Sequence, residues 1–471
     1  MRTLVWFRGK DLRLCDHGPL REALAAGDVI PVFVLDPFFF APNRAQEMPH
    51  RMQFLLESLQ SLAANIAHLG SRLLMVEGRS VDVVPRLAEQ WKVDRVAAHR
   101  WTEPFGIERD RRIAQALDRM GIPLKLYEGE TLAPPGSILN QSGAMFGVFT
   151  PFAKAFQRDA DITAPFPAAN FLPPIPVDVT LDEAALPSLE SMGIRPNPRL
   201  QSGGEKAGLA RMKSFLDSHL SHYAEDRNRM DLDGSSRLSA DLKFGTVSIR
   251  SLWRAVSERE AGGTRAYLNE LMWREYGYHL LWHRPELLEK PFRPGFENFP
   301  WRDDETEWEA WWTGRTGYPV VDAAARQLMA TGFVHNRARM ITASFLTKHL
   351  LQSYRRGEAH FLKWLTDGDW AANNAGWQWS AGCGCDAQPW FRIFNPVLQG
   401  KKFDPHGDYV RAWVPELSKL DDKWIHNPWE APESIRIKMD YPEPIVDLAV
   451  ARARFLSVAK AHLGKKQQAD S

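Results

Sequence analysis

Hydrophobic and polar residues alternate in two different ways along the first 130 positions of the chain. Short runs rich in β-branched and aromatic residues predict strands, at 4–7, 29–35, 72–76, 95–98 and 124–126. Between these runs apolar residues recur at helical spacing, at about 18–26, 50–68, 80–91 and 106–120. Because strands that alternate with helices form parallel sheets through right-handed crossovers, we predict a doubly wound α/β domain at 1–131.

The pattern changes twice beyond this domain. From 132 to 204 both periodicities fade and prolines recur, which predicts a long interdomain linker, although 149–152 is apolar enough to pack. From 205 to 463 helical patterns follow one another without a convincing strand, so we predict an all-α second domain. We expect 464–471 to form a polar tail.

Composition narrows the class of protein. The chain has 471 residues, enough for large cores, and its formal net charge of +1 does not by itself indicate nucleic-acid binding. Three cysteines cannot form a disulfide framework, and Cys383-Gly384-Cys385 has no nearby histidine and lacks the spacing of a zinc site. These features predict a reduced, cytoplasmic compartment and no metal centre.

The N-terminal apolar run meets a charge at Arg8, too early for a signal peptide, and no stretch approaches 18 uncharged apolar residues. We therefore expect a soluble protein with no membrane segment. Eighteen tryptophans are the unusual feature of the composition. They predict a large aromatic core, but tryptophan also suits stacking on bases and carrying an electron vacancy.

A local basic segment is hidden by the neutral net charge. Between Asp322 and Glu358 there is no acidic residue, while six basic residues occur, namely Arg326, Arg337, Arg339, Lys348, Arg355 and Arg356. Such a patch predicts phosphate binding with a steep salt dependence. The alternative is a buried amphipathic helix whose arginines pair with Asp367, Asp369 or the acids near 303–309.

The densest candidate chemistry lies in the run 367–379. Asp367 and Asp369 flank Gly368, which permits a sharp turn, so the two carboxylates can converge on one polar ligand. Asn373 and Trp377 are four residues apart, which places an amide and an indole on one face of a helix. Paired acids, an amide and an indole suit a flat heteroaromatic cofactor. They fit equally a helix N-terminus with acids at its positive end and tryptophans in the core.

Two upstream stretches carry further ligand groups. Serines at 235, 236 and 239, with Arg237 among them, lie in a turn before a helix and can hold a phosphate, although helix capping is the commoner use of serine. Glu270, Trp273 and Arg274 share a helix face. Together they offer a carboxylate that accepts hydrogen bonds, an indole ring that can stack on a base and a guanidinium that can bind a phosphate through two N–H groups. The usual meaning of that spacing is a solvated ion pair beside a half-buried tryptophan.

These motifs occur in the order, and over nearly the whole length, found in DNA photolyases and cryptochromes, and the chain resembles that family. The resemblance includes the N-terminal segments 6–8 and 11–14 and the runs 367–379, 386–396 and 399–404. Asn336 and Met340 stand where (6-4) photolyases have histidines, and Ser-Ser-Arg-Leu-Ser at 235–239 looks like class I rather than class III. The chain is therefore most similar to class I photolyases for cyclobutane pyrimidine dimers (CPDs).

The resemblance implies FAD as cofactor, active as the reduced anion, and UV-damaged DNA carrying a flipped-out CPD as substrate. Light excites the FAD, an electron passes to the dimer and returns after the ring has split. The implied FAD-binding residues are Tyr223, Ser235, Ser236, Arg237, Leu238, Ser239, Tyr267, Arg339, Asp367, Gly368, Asp369 and Asn373. The implied DNA-binding and lesion-binding residues are Arg227, Trp273, Arg274, Arg337 and Trp379, with Glu270, Asn336, Met340 and Asn373 nearest the chemistry.

One position departs from the family pattern. The family's photoreduction chain is three tryptophans, and Trp377 and Trp301 align with its proximal and distal members while Tyr354 replaces the middle one. Because oxidation of tyrosine normally expels the phenolic proton, both a direct relay through Tyr354 and a route around it remain open. Trp364 and Trp370 are nearby in sequence and are candidates for another route or for core.

A second, antenna chromophore is also implied. Arg51 and Lys243 resemble the deazaflavin-binding type, but Trp101 stands where that type has aspartate. Deazaflavin, methenyltetrahydrofolate, a flavin or no antenna therefore remain open. We expect a monomer without an obligate protein partner.

Two other functions compete with repair. A light-sensing cryptochrome would have lost the dimer-contacting residues, which this chain keeps. A flavin oxidoreductase that works in the dark would need a nicotinamide site, and no Gly-x-Gly-x-x-Gly follows the first strand.

Overall fold

The computed structural model describes residues 1–386 and 389–467. Ala387 and Gln388, part of the motif 386–396, and residues 468–471 of the expected tail lie outside the described residues. Helix α21 runs on to Gln467, so 464–467 continue the last helix rather than forming a tail. Among the described residues, no helix is both long and apolar enough to cross a membrane.

A five-stranded parallel sheet forms in the first 127 residues, as the alternating pattern predicted. Its strands are β1 Arg2–Phe7, β2 Asp28–Leu35, β3 Leu74–Glu77, β4 Arg95–His99 and β5 Leu124–Tyr127, in the order β3-β2-β1-β4-β5. Val5 and Phe7 pack into one hydrophobic core, while Leu4 and Trp6 pack into another. Since successive side chains of a strand point to opposite faces, both faces of β1 are covered, as in a doubly wound fold.

The helices up to residue 159 are α1 Gly18–Ala26, α2 Pro37–Phe40, α3 Pro42–Gln46, α4 Pro49–His68, α5 Ser80–Gln90, α6 Pro104–Asp118 and α7 Phe149–Asp159. Helix α7 lies inside the stretch that we expected to be an irregular linker. Phe149, Phe152 and Phe156 are buried at helical spacing, and Pro151 falls in the first turn, where a missing N–H leaves no bond unmade. The recurring prolines were the reason for predicting a linker here, but a proline in the first turn is compatible with a helix.

The later helices are α8 Glu205–Ser218, α9 Tyr223–Asp226, α10 Ser239–Phe244, α11 Ile249–Ser257, α12 Thr264–His283, α13 Glu305–Thr313, α14 Pro319–Thr331, α15 Asn336–Ser344, α16 Tyr354–Trp364, α17 Trp370–Ala381, α18 Pro396–Phe403, α19 Asp408–Trp413, α20 Glu433–Arg436 and α21 Leu448–Gln467. A π-helix, Phe345–His349, follows α15. Within the described residues from 205 onward, the only β-pairing is an isolated bridge of Arg302 with Gln352. The prediction of a helical second part is confirmed.

The described chain forms two compact units. The first unit comprises Met1–Ser221, Ser236–Pro285 and Thr366–Gly368, and the second comprises His222–Ser235, Glu286–Leu365 and the described residues from Asp369 onward. Glu205 accepts the backbone N–H groups of Leu14 and Cys15, and Arg13 donates to the carbonyl of Gly245. These bonds tie the first helices after residue 205 to the unit that contains the sheet.

Candidate functional site

Helix α17 begins at the motif that carries the densest chemistry. Asp369 is its N-cap, with Oδ1 accepting the N–H of Ala372 at 2.9 Å. A carboxylate at this end is favoured by the helix dipole, so the capping interpretation holds for Asp369. The helix ends at Gly382, whose φ of 90° suits glycine.

One face of α17 is anchored in the second unit. Asn374 donates to the carbonyl of Leu287 and to Oε1 of Glu358, both at 2.9 Å. Gln378 donates to the same Leu287 carbonyl at 3.0 Å. The indole of Trp377 presses on Gly357, where an added Cβ would come within 2.2 Å of the ring. These contacts fix the rotation of the helix.

The other face of α17 is open. Ala372 and Gly376 are exposed, and a Cβ added to Gly376 would meet no atom within 4 Å. Between them, Asn373 is half-buried, and its Nδ2 donates to the carbonyl of Glu358 at 3.0 Å, which orients the amide. A helix face of small residues with one oriented amide fits the flat ring of a flavin.

Glu358 has a perturbed acidity beside this face. Burial raises the pKa of its carboxyl group to about 7, and the hydrogen bond from Asn374 only partly opposes that rise. Glu358 is not among the predicted site residues, because a glutamate in a helical pattern carries no signal of burial. A carboxyl group that titrates near neutrality is common at functional sites.

The serine turn precedes helix α10 and does not supply its N-cap residue. Helix α10 begins after Leu238, which makes no side-chain cap bond, so no serine is the N-cap; Oγ of Ser236 accepts the N–H of Leu238 at 3.3 Å within the turn. Arg237 has a φ of 54°, which is uncommon for a residue with a side chain. Ser235, Ser236 and Arg237 are half-buried, and Ser239 is exposed. Hydroxyl groups and a guanidinium group around a turn suit phosphates.

Helix α12 carries the second predicted group in the first unit. Tyr267 is buried, and its hydroxyl donates to Oγ of Ser236 at 2.9 Å, which joins two members of the implied FAD set. Glu270 and Trp273 are half-buried on the same helix. The ring of Trp273 stacks on Phe149, with centroids 3.6 Å apart. No pattern in the sequence predicts that Phe149 is the partner of Trp273.

Arg274 is used within the fold. Its Nη1 donates to the carbonyl of Glu130 at 2.8 Å, and its guanidinium carbon lies 4.5 Å from the ring centre of Tyr278. These contacts hold the guanidinium against its own unit, whereas the sequence placed it on DNA.

The basic segment is not one continuous patch. Arg326 pairs with Glu416 at 2.7 Å, and Arg356 pairs with Asp303 at 3.1 Å, as the ion-pair alternative proposed for acids near 303–309. Lys348 is buried in the π-helix and donates to the carbonyl of Arg392. The prediction of a single phosphate-binding patch is therefore wrong for these positions.

Helix α15 carries what remains of that patch. Asn336 is exposed, and its Nδ2 lies 3.7 Å from Sδ of Met340, one turn along the helix. Arg337 donates to Oδ1 of Asn228 at 2.9 Å, and Arg339 donates to the carbonyl of Val334 at 2.8 Å.

The aromatic residues predicted to carry electrons lie in the second unit. Trp301 and Tyr354 have ring centroids 6.4 Å apart. Tyr354 is buried, its hydroxyl has no hydrogen-bond partner within the described residues, and burial raises its pKa above the usual range. Trp364 ends α16 and Trp370 begins α17.

The three antenna candidates all have partners in the first unit. Arg51 donates to the carbonyl of Gly368, at 3.4 Å, in the loop of the acidic motif. Trp101 is buried with the guanidinium carbon of Arg109 4.5 Å from its ring centre, and the ammonium of Lys243 lies 4.0 Å from the ring of Phe244. These contacts do not select an antenna chromophore.

Comparisons with known proteins match nearly the whole chain. The family model described as the FAD binding domain of DNA photolyase matches residues 267–461, and the DNA photolyase model matches residues 3–173. A deoxyribodipyrimidine photo-lyase of Thermus thermophilus is 41% identical over 459 residues, which are 97% of this chain and 98% of the relative.

Two solved structures have the same fold. A bacterial class III photolyase from Agrobacterium tumefaciens has a TM-score of 0.92 and 38% identity, with 98% of each chain covered. A cryptochrome of Synechocystis has a TM-score of 0.89 and 33% identity, with 97% of this chain and 99% of that chain covered.

Proposed function

The chain belongs to the DNA photolyase family, and we propose that it is a light-dependent DNA repair enzyme, a deoxyribodipyrimidine photo-lyase that splits CPDs. The observation that supports this proposal best is the open face of α17, where Asn373 is oriented beside the exposed Gly376. Family membership assigns an FAD-binding domain to this part of the chain.

We assign two groups of residues to FAD. The hydroxyl groups and guanidinium of the 235–239 turn hold its phosphates, with Tyr223 and Tyr267 beside them. Asp367, Gly368, Asp369, Arg339 and Asn373 surround its ring. Bound FAD supplies the light-driven electron transfer that opens the dimer. The protein supplies placement of the ring and of the lesion.

The lesion is held by stacking and by one carboxylate. Flipping a dimer out of the duplex costs roughly a few kcal/mol. This cost is lower than that of flipping undamaged bases, because the dimer pairs poorly. Stacking on Trp273 and Trp379, at about 1–3 kcal/mol per base, offsets that cost. Glu270 accepts a hydrogen bond from the lesion, and Asn336 and Met340 form the adjoining wall.

The DNA backbone is assigned to Arg227 and Arg337. The side chain of Arg274 is only 14% exposed, donates to the Glu130 carbonyl and lies against Tyr278, so we give it a positioning role for α12 rather than a phosphate contact. We propose that the protein acts as a monomer. The class I assignment rests on the 235–239 motif and stays a prediction, since a class III enzyme is 38% identical to this chain.

Signalling of the cryptochrome type is the second candidate, favoured by the likeness to the Synechocystis protein. The lesion-binding set on α12, α15 and α17 argues for repair, because a receptor without a DNA substrate would not need it.

The deciding experiment measures dimers in UV-irradiated DNA incubated with the purified protein, in blue light and in darkness. Dimers should disappear only in the light. Gly376→Leu should fold, because its Cβ meets no atom, but should bind less FAD and repair less. Unchanged dimer content in the light with wild-type protein that holds reduced FAD would exclude repair and leave signalling.

A further inference from the structure

Two tryptophans connect Trp377 to the surface of the second unit. The ring centroid of Trp311 lies 6.2 Å from that of Trp377, with the planes at 70°. The ring of Trp308 lies 5.2 Å from that of Trp311, with the planes at 25°. Trp377 and Trp311 are 4% and 1% exposed, whereas Trp308 is only partly buried. The three indoles therefore form a continuous path from α17 to solvent.

Helix α13 holds both of the added rings in place. Trp308 and Trp311 are three residues apart on α13, which brings their side chains together. Nε1 of Trp311 donates to the carbonyl of Thr342 at 3.2 Å, so the buried indole has a fixed orientation. A rigid spacing of this kind favours electron transfer, which depends steeply on distance.

The route through Tyr354 has a chemical obstacle. Its phenol must lose a proton when it is oxidised, yet its buried hydroxyl has no hydrogen-bond partner within the described part of the chain. Burial, reinforced by Cys383, raises its pKa. Tryptophan has no such requirement, because an oxidised indole can persist as a radical cation before it loses a proton.

The surroundings of Trp308 do not oppose a transient positive charge. The guanidinium of Arg356 lies 4.2 Å from the ring centre of Trp308, but it is paired with Asp303 and Glu305 at 3.1 and 2.5 Å. The imidazole of His360 lies 5.7 Å from both rings, and burial lowers its pKa to about 4, so it is neutral at pH 7.

We propose that electrons reach the flavin of this protein through Trp308 and Trp311, and that Tyr354 is bypassed. The proposal rests on the FAD-dependent function proposed above. One electron passes from Trp377 to the light-excited oxidised flavin, Trp311 refills Trp377, and Trp308 refills Trp311. The indole N–H proton of oxidised Trp308 passes to water. A thiol then gives a hydrogen atom to the indole nitrogen, and two resulting thiyl radicals combine to a disulfide.

The test compares four single variants of the FAD-loaded protein under blue light with a thiol. Trp308→Phe and Trp311→Phe should lose most of the light-driven flavin reduction, while Tyr354→Phe should keep it. Trp312→Phe, a half-buried tryptophan on the same helix, is the matched control and should also keep it. Full reduction in Trp308→Phe, or its loss in Tyr354→Phe, would overturn the proposal.

Two further measurements detect the oxidised tryptophans directly. Transient absorption should show a neutral tryptophan radical and no tyrosyl radical in the wild-type protein, and the radical should be short-lived in Trp308→Phe. After illumination in air without thiol, peptide mapping should find oxidised tryptophan at position 308 and not at 301. The reverse pattern, with oxidation at 301, would assign the route to Tyr354.

The remaining measurement separates this proposal from the proposed function. Each variant is reduced with dithionite, and its repair of a CPD is measured. Repair by chemically reduced Trp308→Phe at the wild-type level, with its photoreduction lost, supports both proposals. Absence of repair in every variant and in the wild type would refute the function alone. If Trp311→Phe does not fold, the surface variant Trp308→Phe decides.

Discussion

The rings of Phe149 and Trp273 lie parallel, with centroids 3.6 Å apart and planes inclined by 9°. Phe149 is the first residue of α7 and is buried, and Trp273 is half-buried in the middle of α12. A parallel stack this close fixes the orientation of the indole. If Trp273 stacks on the lesion, Phe149 is a positioning residue for lesion binding.

Phe149→Ala should therefore weaken binding of CPD-containing DNA by about two- to tenfold, since aromatic pairs contribute about 0.5–1.5 kcal/mol beyond area burial. Binding of undamaged DNA should change less. Equilibrium titration of both oligonucleotides measures the effect. Phe156→Ala removes another buried phenylalanine of α7 and controls for helix destabilisation. An equal effect of the two variants on damaged DNA would remove the positioning role.

Arginine and tryptophan substitutions should separate phosphate contacts from lesion contacts. Arg337→Ala should weaken binding of damaged and intact DNA alike and lower the salt slope by about one, because one phosphate contact is lost. Trp379→Ala should instead erode the preference for damaged DNA. Arg274→Ala serves as the contrast and should leave the salt slope unchanged, because the Arg274 side chain is only 14% exposed and donates to the Glu130 carbonyl. A smaller salt dependence of DNA binding in Arg274→Ala would show that Arg274 contacts a phosphate after all.

Local patterns predicted the sheet but not the long-range partners. The strands were visible because side chains alternate between two buried faces, as Val5 and Leu4 do in β1. Arg274 and Trp273 were placed on the right helix, yet their contacts with Glu130 and Phe149 join positions more than 120 residues apart. Helical spacing carries no information on such partners, and this is why Trp311 was also missed.

Glu270→Ala should lower light-driven repair more than it lowers DNA binding. A hydrogen bond to a group that gains negative charge counts most at the moment the charge develops. Repair is measured per absorbed photon at saturating DNA with the flavin already reduced, and DNA affinity is measured separately. Glu270→Gln keeps the shape of the side chain without its charge, so its repair per absorbed photon should lie between that of the wild type and that of Glu270→Ala. Wild-type repair by Glu270→Ala at saturation would refute this role.

Acid should destabilise the first unit through His99. Burial, with the neighbouring His17, lowers the pKa of His99 to about 3, against an ordinary value of 6.5. The unfolded chain therefore binds a proton that the folded chain rejects. Above pH 6.5 this histidine does not change the free energy of unfolding. As the pH falls from 6.5 toward 3, the free energy of unfolding decreases by about 1.4 kcal/mol per pH unit.

Urea unfolding between pH 7 and 4.5 measures this slope. His99→Gln should reduce it by about one proton. His406→Gln, which replaces a largely exposed ring, is the matched control. If the exposed variant reduces the slope as much as His99→Gln does, burial of His99 is not the cause.

Both electron routes considered above, through Trp311 and through Tyr354, are proposed to enter the flavin by way of Trp377, which lies in α17 one turn after Asn373 and contacts Trp311. Trp377→Phe should abolish most photoreduction, since a phenyl ring is far harder to oxidise than an indole. The smaller ring leaves a gap against Gly357 and should cost roughly 1–3 kcal/mol of unfolding free energy. FAD content and thermal unfolding are therefore measured with the flavin reduction rate. Trp379→Phe, two residues along the same helix, should photoreduce normally. Repair by chemically reduced Trp377→Phe should persist, because that electron comes from FAD and not from the tryptophans; loss of repair there, with FAD still bound, would mean that Trp377 also serves the repair step.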